Sequence, residues 1–237
     1  MVTTRSASKA ASPAPRFAPK SSSPSSSNKR NSSSSRSRLW AHAPSRLTLF
    51  WLAVSLPLVA WDSGYVLLRP LTMEGGSLHW PLYTPYKLYG EVDHVYGWKA
   101  FKAGNGFTGA QGALNVLETT MYLVYLWLYF ARGTTAAGVK TGRGNAKVLS
   151  GRPAAIAVLT AFSAAVMTLS KTALYWLQEY FSNYDNIGHN NLQDLILLWI
   201  IPNGLWLIFP SYLIYVMGSE IVEGLTAAST GRAAKSE

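Results

Sequence analysis

The chain has 237 residues, room for one membrane domain with tails, and carries 21 Lys and Arg against 11 Asp and Glu. It contains no Cys, which excludes disulfides, thiolate metal sites and cysteine nucleophiles. Its mean hydropathy of +0.09 would suit a soluble protein, but it averages a polar tail with very apolar segments. The nine Trp and thirteen Tyr fit aromatic belts at membrane interfaces, or the lining of an apolar ligand cavity.

Residues 1–46 are rich in Ser, Pro, Ala, Lys and Arg, with nine basic residues and no acid. Such a segment cannot bury enough apolar surface to offset its chain entropy, so it is expected to be disordered. Three roles stay open for it: a basic arm on anionic headgroups, an organelle transit segment, or a solvated tail that fixes topology. Its serines make it easy to regulate by phosphorylation. A nucleic-acid arm is disfavoured by the neighbouring span.

The first span is expected over 47–68, with Asp62 inside its apolar run, either as an interfacial cap or as a functional acid. Residues 69–108 form an aromatic loop punctuated by Gly and Pro, too long for a bare connector and expected to pack as a lid or short helices. Its two His, His79 and His94, and its acids match no metal-ligand spacing.

The second span, over 109–131, is the centre of the chain. It carries Asn115, Glu118, Thr119 and Thr120 at its middle. An ionisable side chain at mid-membrane costs about 3 kcal/mol, which marks Glu118 as functional unless it is buried protonated against a neighbouring helix. A glycine-containing basic loop, 132–152, follows. The third span, 153–177, opens on Pro153 and carries Lys171, which reads as snorkelling to the interface. Residues 178–191 are a short polar loop. The fourth span, 192–217, holds Pro202, Asn203 and Gly204 at its middle, where a kink would turn freed carbonyls and the Asn203 amide inward. Residues 219–237 read as a short polar tail. The expected fold is all-α: a four-span membrane bundle with an aromatic lid and a basic tail. The N-terminal tail and the 132–152 loop hold fourteen basic residues and no acid, so both termini are expected to be cytosolic.

Three local patterns carry a family resemblance. Tyr86-Lys87-x-Tyr89-x-x-x-Asp93-x-x-Tyr96, Leu117-Glu118-Thr119 and Asn203-Gly204-Leu205-Trp206-Leu207-Ile208-Phe209-Pro210 resemble motifs of the EXPERA group. Within that group they are similar to the emopamil-binding protein family of sterol isomerases. Leu174-Tyr175-Trp176 with Glu179 is a weaker match. The resemblance spans about residues 47–218, and the last of the three motifs is the most specific.

The resemblance implies an isomerase of the endoplasmic reticulum that shifts a sterol double bond from the 8,9 to the 7,8 position without a cofactor or metal. The reaction protonates one carbon, passes through a carbocation and removes a neighbouring proton in a dry pocket. Glu118 and Asp62 would be the catalytic carboxylates. Trp206, Asn203, Tyr96, Asp93, Thr119 and Tyr175 would meet the substrate, with the Trp206 face stabilising the cation. The implied partners are a sterol or other hydrophobic ligand and membrane lipid, with no nucleic acid; a homodimer stays open. The chain departs from the pattern at Leu58, where the isomerases carry a His one turn before the first-helix acid, and at Lys171 and Thr172, where their third helix carries an acid. His94 would be the stand-in for the missing imidazole if the aromatic loop covers the pocket. Non-enzymatic relatives of the same fold bind sterols and amines, which is the alternative function.

Overall fold

A computed structural model describes residues 40–135 and 147–233. The expected tail over residues 1–39 and the centre of the basic loop, 136–146, lie outside the described residues. The elements run in order as β1 (Ala41–His42), α1 (Arg46–Leu67), α2 (Pro85–Val92), α3 (Trp98–Lys102), α4 (Phe107–Arg132), β2 (Thr134–Thr135), β3 (Lys147–Ser150), α5 (Gly151–Phe181), α6 (Leu192–Asp194) and α7 (Ile201–Ala233). The chain is mostly helical. Three helical rods are long and apolar enough to cross a membrane: Arg46–Leu67, Gly151–Phe181 and Leu192–Thr230.

The start of α1 is set by Ser45, whose hydroxyl accepts the Thr48 N–H at 3.0 Å. The start of α5 is set by Gly151, which turns the end of β3 into the helix at a φ of +66° that favours glycine. Along α5 a buried stripe of Ala154, Ala157, Ala161, Ala164 and Ala165 recurs at three- and four-residue steps. Side chains this small let neighbouring helices come close. α5 accordingly packs against α4 on one side and α7 on the other, and α4 packs on α1. Large apolar side chains such as Phe50, Leu123, Phe130, Leu159 and Ile208 face outward and are exposed.

Pro202 has no N–H to give the carbonyl of Leu198, and the helix before it widens into a π-type turn over Leu195–Ile200. The expected break in the last rod is therefore a widened turn just ahead of the proline. The rod itself runs on to Ala233, so the stretch read as a polar tail from residue 219 is helical over most of its length.

Two further corrections concern the N-terminal side. Residues 40–46, read as the end of the tail, form β1 and lead into α1, and the fold is not purely helical. β1, β3 and β2 pair antiparallel in that order, with Ala41 opposite Ser150 and Thr134 opposite Val148. His42 locks this small sheet to the bundle. Its imidazole lies 2.6 Å from Glu220 Oε2 and 2.9 Å from the Tyr125 hydroxyl.

The α1–α4 connection packs on the end of the bundle through its rings. Tyr65 and Tyr86 stack at 3.8 Å, and Tyr89 meets Tyr96 edge-on at 4.9 Å. Gly90 and Gly97 lie back to back there, so close that a Cβ on Gly97 would sit 2.5 Å from the Gly90 carbonyl oxygen.

Candidate functional site

Between α1, α4, α5 and α7, beneath the aromatic connection, lies a cavity of about 440 Å³. Helical periodicity brings its polar groups together. On α4, Gln111, Asn115 and Glu118 sit three and four residues apart, and on α5 so do Thr168, Lys171, Thr172 and Tyr175. α1 adds Asp62, and the last rod adds Asn203 and Trp206.

Of the residues expected in a site, Asp62, Glu118, Tyr96, Tyr175, Asn203 and Trp206 all line this cavity. Asp62 faces it and is not an interfacial cap: its Oδ1 accepts the Tyr86 hydroxyl at 2.9 Å and its Oδ2 accepts the Asn115 amide at 3.2 Å. The Asn203 amide donates to the Trp199 carbonyl at 2.9 Å, within the widened turn. Trp206 meets Trp51 edge-on at 5.0 Å, and Trp51 stacks on Phe209 at 4.1 Å, which draws α1 and α7 together at one end of the cavity.

Lys171 does not snorkel. Its side chain is 9 % exposed, and its ammonium donates to Glu118 Oε2 at 2.9 Å and to Asn115 Oδ1. Nearly closed off from solvent, the cation turns to the carboxylate across the α4–α5 contact. Glu118 Oε2 also accepts the Thr168 hydroxyl at 2.7 Å, whereas Glu118 Oε1 is buried with no partner among the described residues. One chain of contacts, Tyr86–Asp62–Asn115–Lys171–Glu118–Thr168, thus crosses the polar end of the cavity.

Two expected residues are elsewhere. Asp93 is fully buried behind the cavity wall, where its oxygens accept the Val95 N–H and the Trp199 indole, each at 3.0 Å. Burial pushes its carboxyl up to about 7 against the pull of those two hydrogen bonds. These two hydrogen bonds tie the connection to the last rod. Thr119 is turned about 100° from Glu118 around α4, so it misses the main cavity and borders a void of about 10 Å³ beside Ser55 and Tyr122.

His94 is not a stand-in for the missing imidazole. It stacks face to face on His189 at 4.0 Å, outside the cavity, and burial and that neighbour hold its imidazole below the usual range. No histidine lines the cavity, and Leu58 stands at its rim with half its surface exposed. Among the described residues no group of three His, Asp or Glu is placed to hold a metal ion.

Sequence reasoning missed Lys171, Thr168 and Gln111 as site residues. The signal was present in the spacing: Gln111 lies seven residues, and Asn115 three, ahead of Glu118 on one helical face. Compared with protein-family models, curated proteins and solved structures, the chain matches none.

Proposed function

We propose that this chain is an integral membrane protein that binds a sterol or a similarly rigid apolar molecule between its helices, as a divergent EXPERA-type member. One observation carries the reading: Asp62, Glu118 and Trp206 face a single apolar cavity of about 440 Å³, a size suited to a small-molecule ligand. In this reading α4 is the fourth span. Its 26 residues are long enough to cross, and its average hydropathy is lowered by the polar groups it presents inward. The aromatic connection is a lid, the ligand is drawn from membrane lipid, both termini are cytosolic by the basic bias, and the membrane is that of the endoplasmic reticulum.

Binding without chemistry is the better-supported form. A carbocation route needs uncommitted negative charge beside the transient cation. Here Glu118 is paired with Lys171, and no imidazole lines the cavity. The isomerase form is favoured by Asp62, whose partners Tyr86 and Asn115 are both neutral, so one cavity carboxylate carries no direct cation.

Purified protein in lipid nanodiscs, given an 8,9-unsaturated sterol, separates the two. The expected result is saturable binding with recovery of unchanged sterol by gas chromatography–mass spectrometry. Conversion to the 7,8 isomer that is lost in Asp62→Asn and Glu118→Gln would establish the enzyme instead. Absence of saturable binding would remove both forms.

A further inference from the structure

We infer that Lys171 sets the charge class of the ligand: its own ammonium occupies the cation position of the cavity, so the site selects a neutral apolar alcohol or ketone and rejects amines. This rests on the ligand-binding reading above.

The argument begins with the carboxylate oxygens. Asp62 and Glu118 together present four. Asp62 Oδ1 is taken by Tyr86 and Oδ2 by Asn115. Glu118 Oε2 is taken by Lys171 and Thr168. Glu118 Oε1 has no partner among the described residues, but it is buried. At the cavity wall an incoming ammonium therefore meets only carboxylate oxygens that already accept a hydrogen bond, and the one already paired with a cation is that of Glu118. It also meets Lys171, which borders the same space and brings a like charge into a largely apolar site, where screening is weaker than in bulk water.

Lys171 sits where such a ligand would go. It bridges Glu118 directly and Asp62 through Asn115, whose carbonyl accepts from Lys171 while its amide donates to Asp62. A tethered ammonium holds that place at the concentration of an intramolecular group, which a free amine cannot match.

A neutral oxygen has a different prospect. The ammonium carries three protons, of which Glu118 and Asn115 take two. The third is left for a hydroxyl or carbonyl oxygen at the polar end of a rigid apolar body. Such a ligand brings no charge to desolvate, and Trp61, Tyr86, Tyr89 and Trp206 cover its rings.

The test is a competition assay in nanodiscs near pH 7, in which a fluorescent sterol is displaced by a 3-hydroxysterol and by its matched 3-amino analogue. The wild-type chain should bind the alcohol about tenfold tighter than the amine, or better. Lys171→Met keeps the length of the side chain, frees Glu118 and should reverse the order. The double variant Lys171→Met with Glu118→Gln removes both charges of the pair, so neither strands the other, and should bind the alcohol more weakly than the wild type, having lost the donor to its oxygen, while losing most of the discrimination. Equal or tighter amine binding by the wild type, or undiminished discrimination in the double variant, would overturn the inference and leave the ligand-binding reading standing. Failure of both probes to displace the fluorescent sterol, with no saturable binding of that sterol, would overturn the ligand-binding reading itself.

Discussion

An amine and a carboxyl group in the interior hold each other in place at the contact between α4 and α5. Lys171 and Glu118 are 9 % and 5 % exposed and 2.9 Å apart. A buried pair adds little over an apolar pair of the same shape, but removing one partner strands the other. Lys171→Ala alone should lower stability by about 3–5 kcal/mol. The double variant Lys171→Met with Glu118→Gln should recover most of that loss, both read by thermal unfolding in detergent. Asp93 gives a second prediction at this scale. Its carboxyl is pushed from 3.8 to about 7 by burial, so the folded chain keeps a proton that the unfolded chain releases. The stability from this proton is full below about 3.8 and is lost as the pH rises through about 7. His94 in the same loop works the other way: its lowered imidazole contributes above 6.5 and loses that contribution as the pH falls through its folded value. Asp93→Asn should abolish the loss of stability between about pH 4 and 7 and leave the His94 trend visible in the same unfolding series.

α5 is the element on which the others are assembled. It carries the alanine stripe, the site residues Thr168, Lys171, Thr172 and Tyr175, and the contacts to both α4 and α7. Ala161 is fully buried midway along that stripe. Ala161→Leu adds three carbons where two helices already touch, and should cost about 1–3 kcal/mol by overpacking. Because α4 and α7 would be pushed apart, sterol affinity should fall together with the melting temperature in the same preparation. In the last rod, Pro202 and Asn203 divide the work. The proline opens the π-type turn, and the Asn203 amide satisfies the Trp199 carbonyl inside it, which keeps Trp206 facing the cavity.

For the molecule as a whole, the crossing of α4 is the point to measure. The chain has no Cys, so a single introduced cysteine is a unique label. Asn105 lies exposed just before α4 and Thr135 exposed just after it. With α4 as a span, Asn105→Cys and Thr135→Cys should react with a membrane-impermeant maleimide from opposite sides, Thr135 from the cytosolic face. Labelling from one side would put α4 outside the bilayer and remove the four-span arrangement. The small sheet belongs to this scale too. It joins β1 to the distant β3 and β2, and His42 ties it to Glu220 near the far end of the chain.

The long helices and the unusual weight of Glu118 were legible because each is written locally, as an apolar run interrupted by a costly polar group, whereas Asp62, Asn203 and Trp206 were grouped only through the family resemblance. Helical periodicity is also local, so the shared face of Gln111, Asn115 and Glu118 was available from the spacing alone. Lys171 was not. A lysine in the last third of a span snorkels or turns inward according to what faces it, and that depended on the α4–α5 contact and on the short side chains that allow it. Asp93 and Thr119 were placed in the site by motif, yet one is held by Val95 and Trp199 and the other is rotated off the cavity face. The strands escaped notice because segments of two to four residues carry no periodicity, and β1 finds its partner β3 only across the intervening helices α1 to α4. Sequence by itself determined which segments are helical and which polar groups sit within them. Only the tertiary structure decided which of those groups meet, since a buried charge takes its partner from whichever helix packing brings within reach.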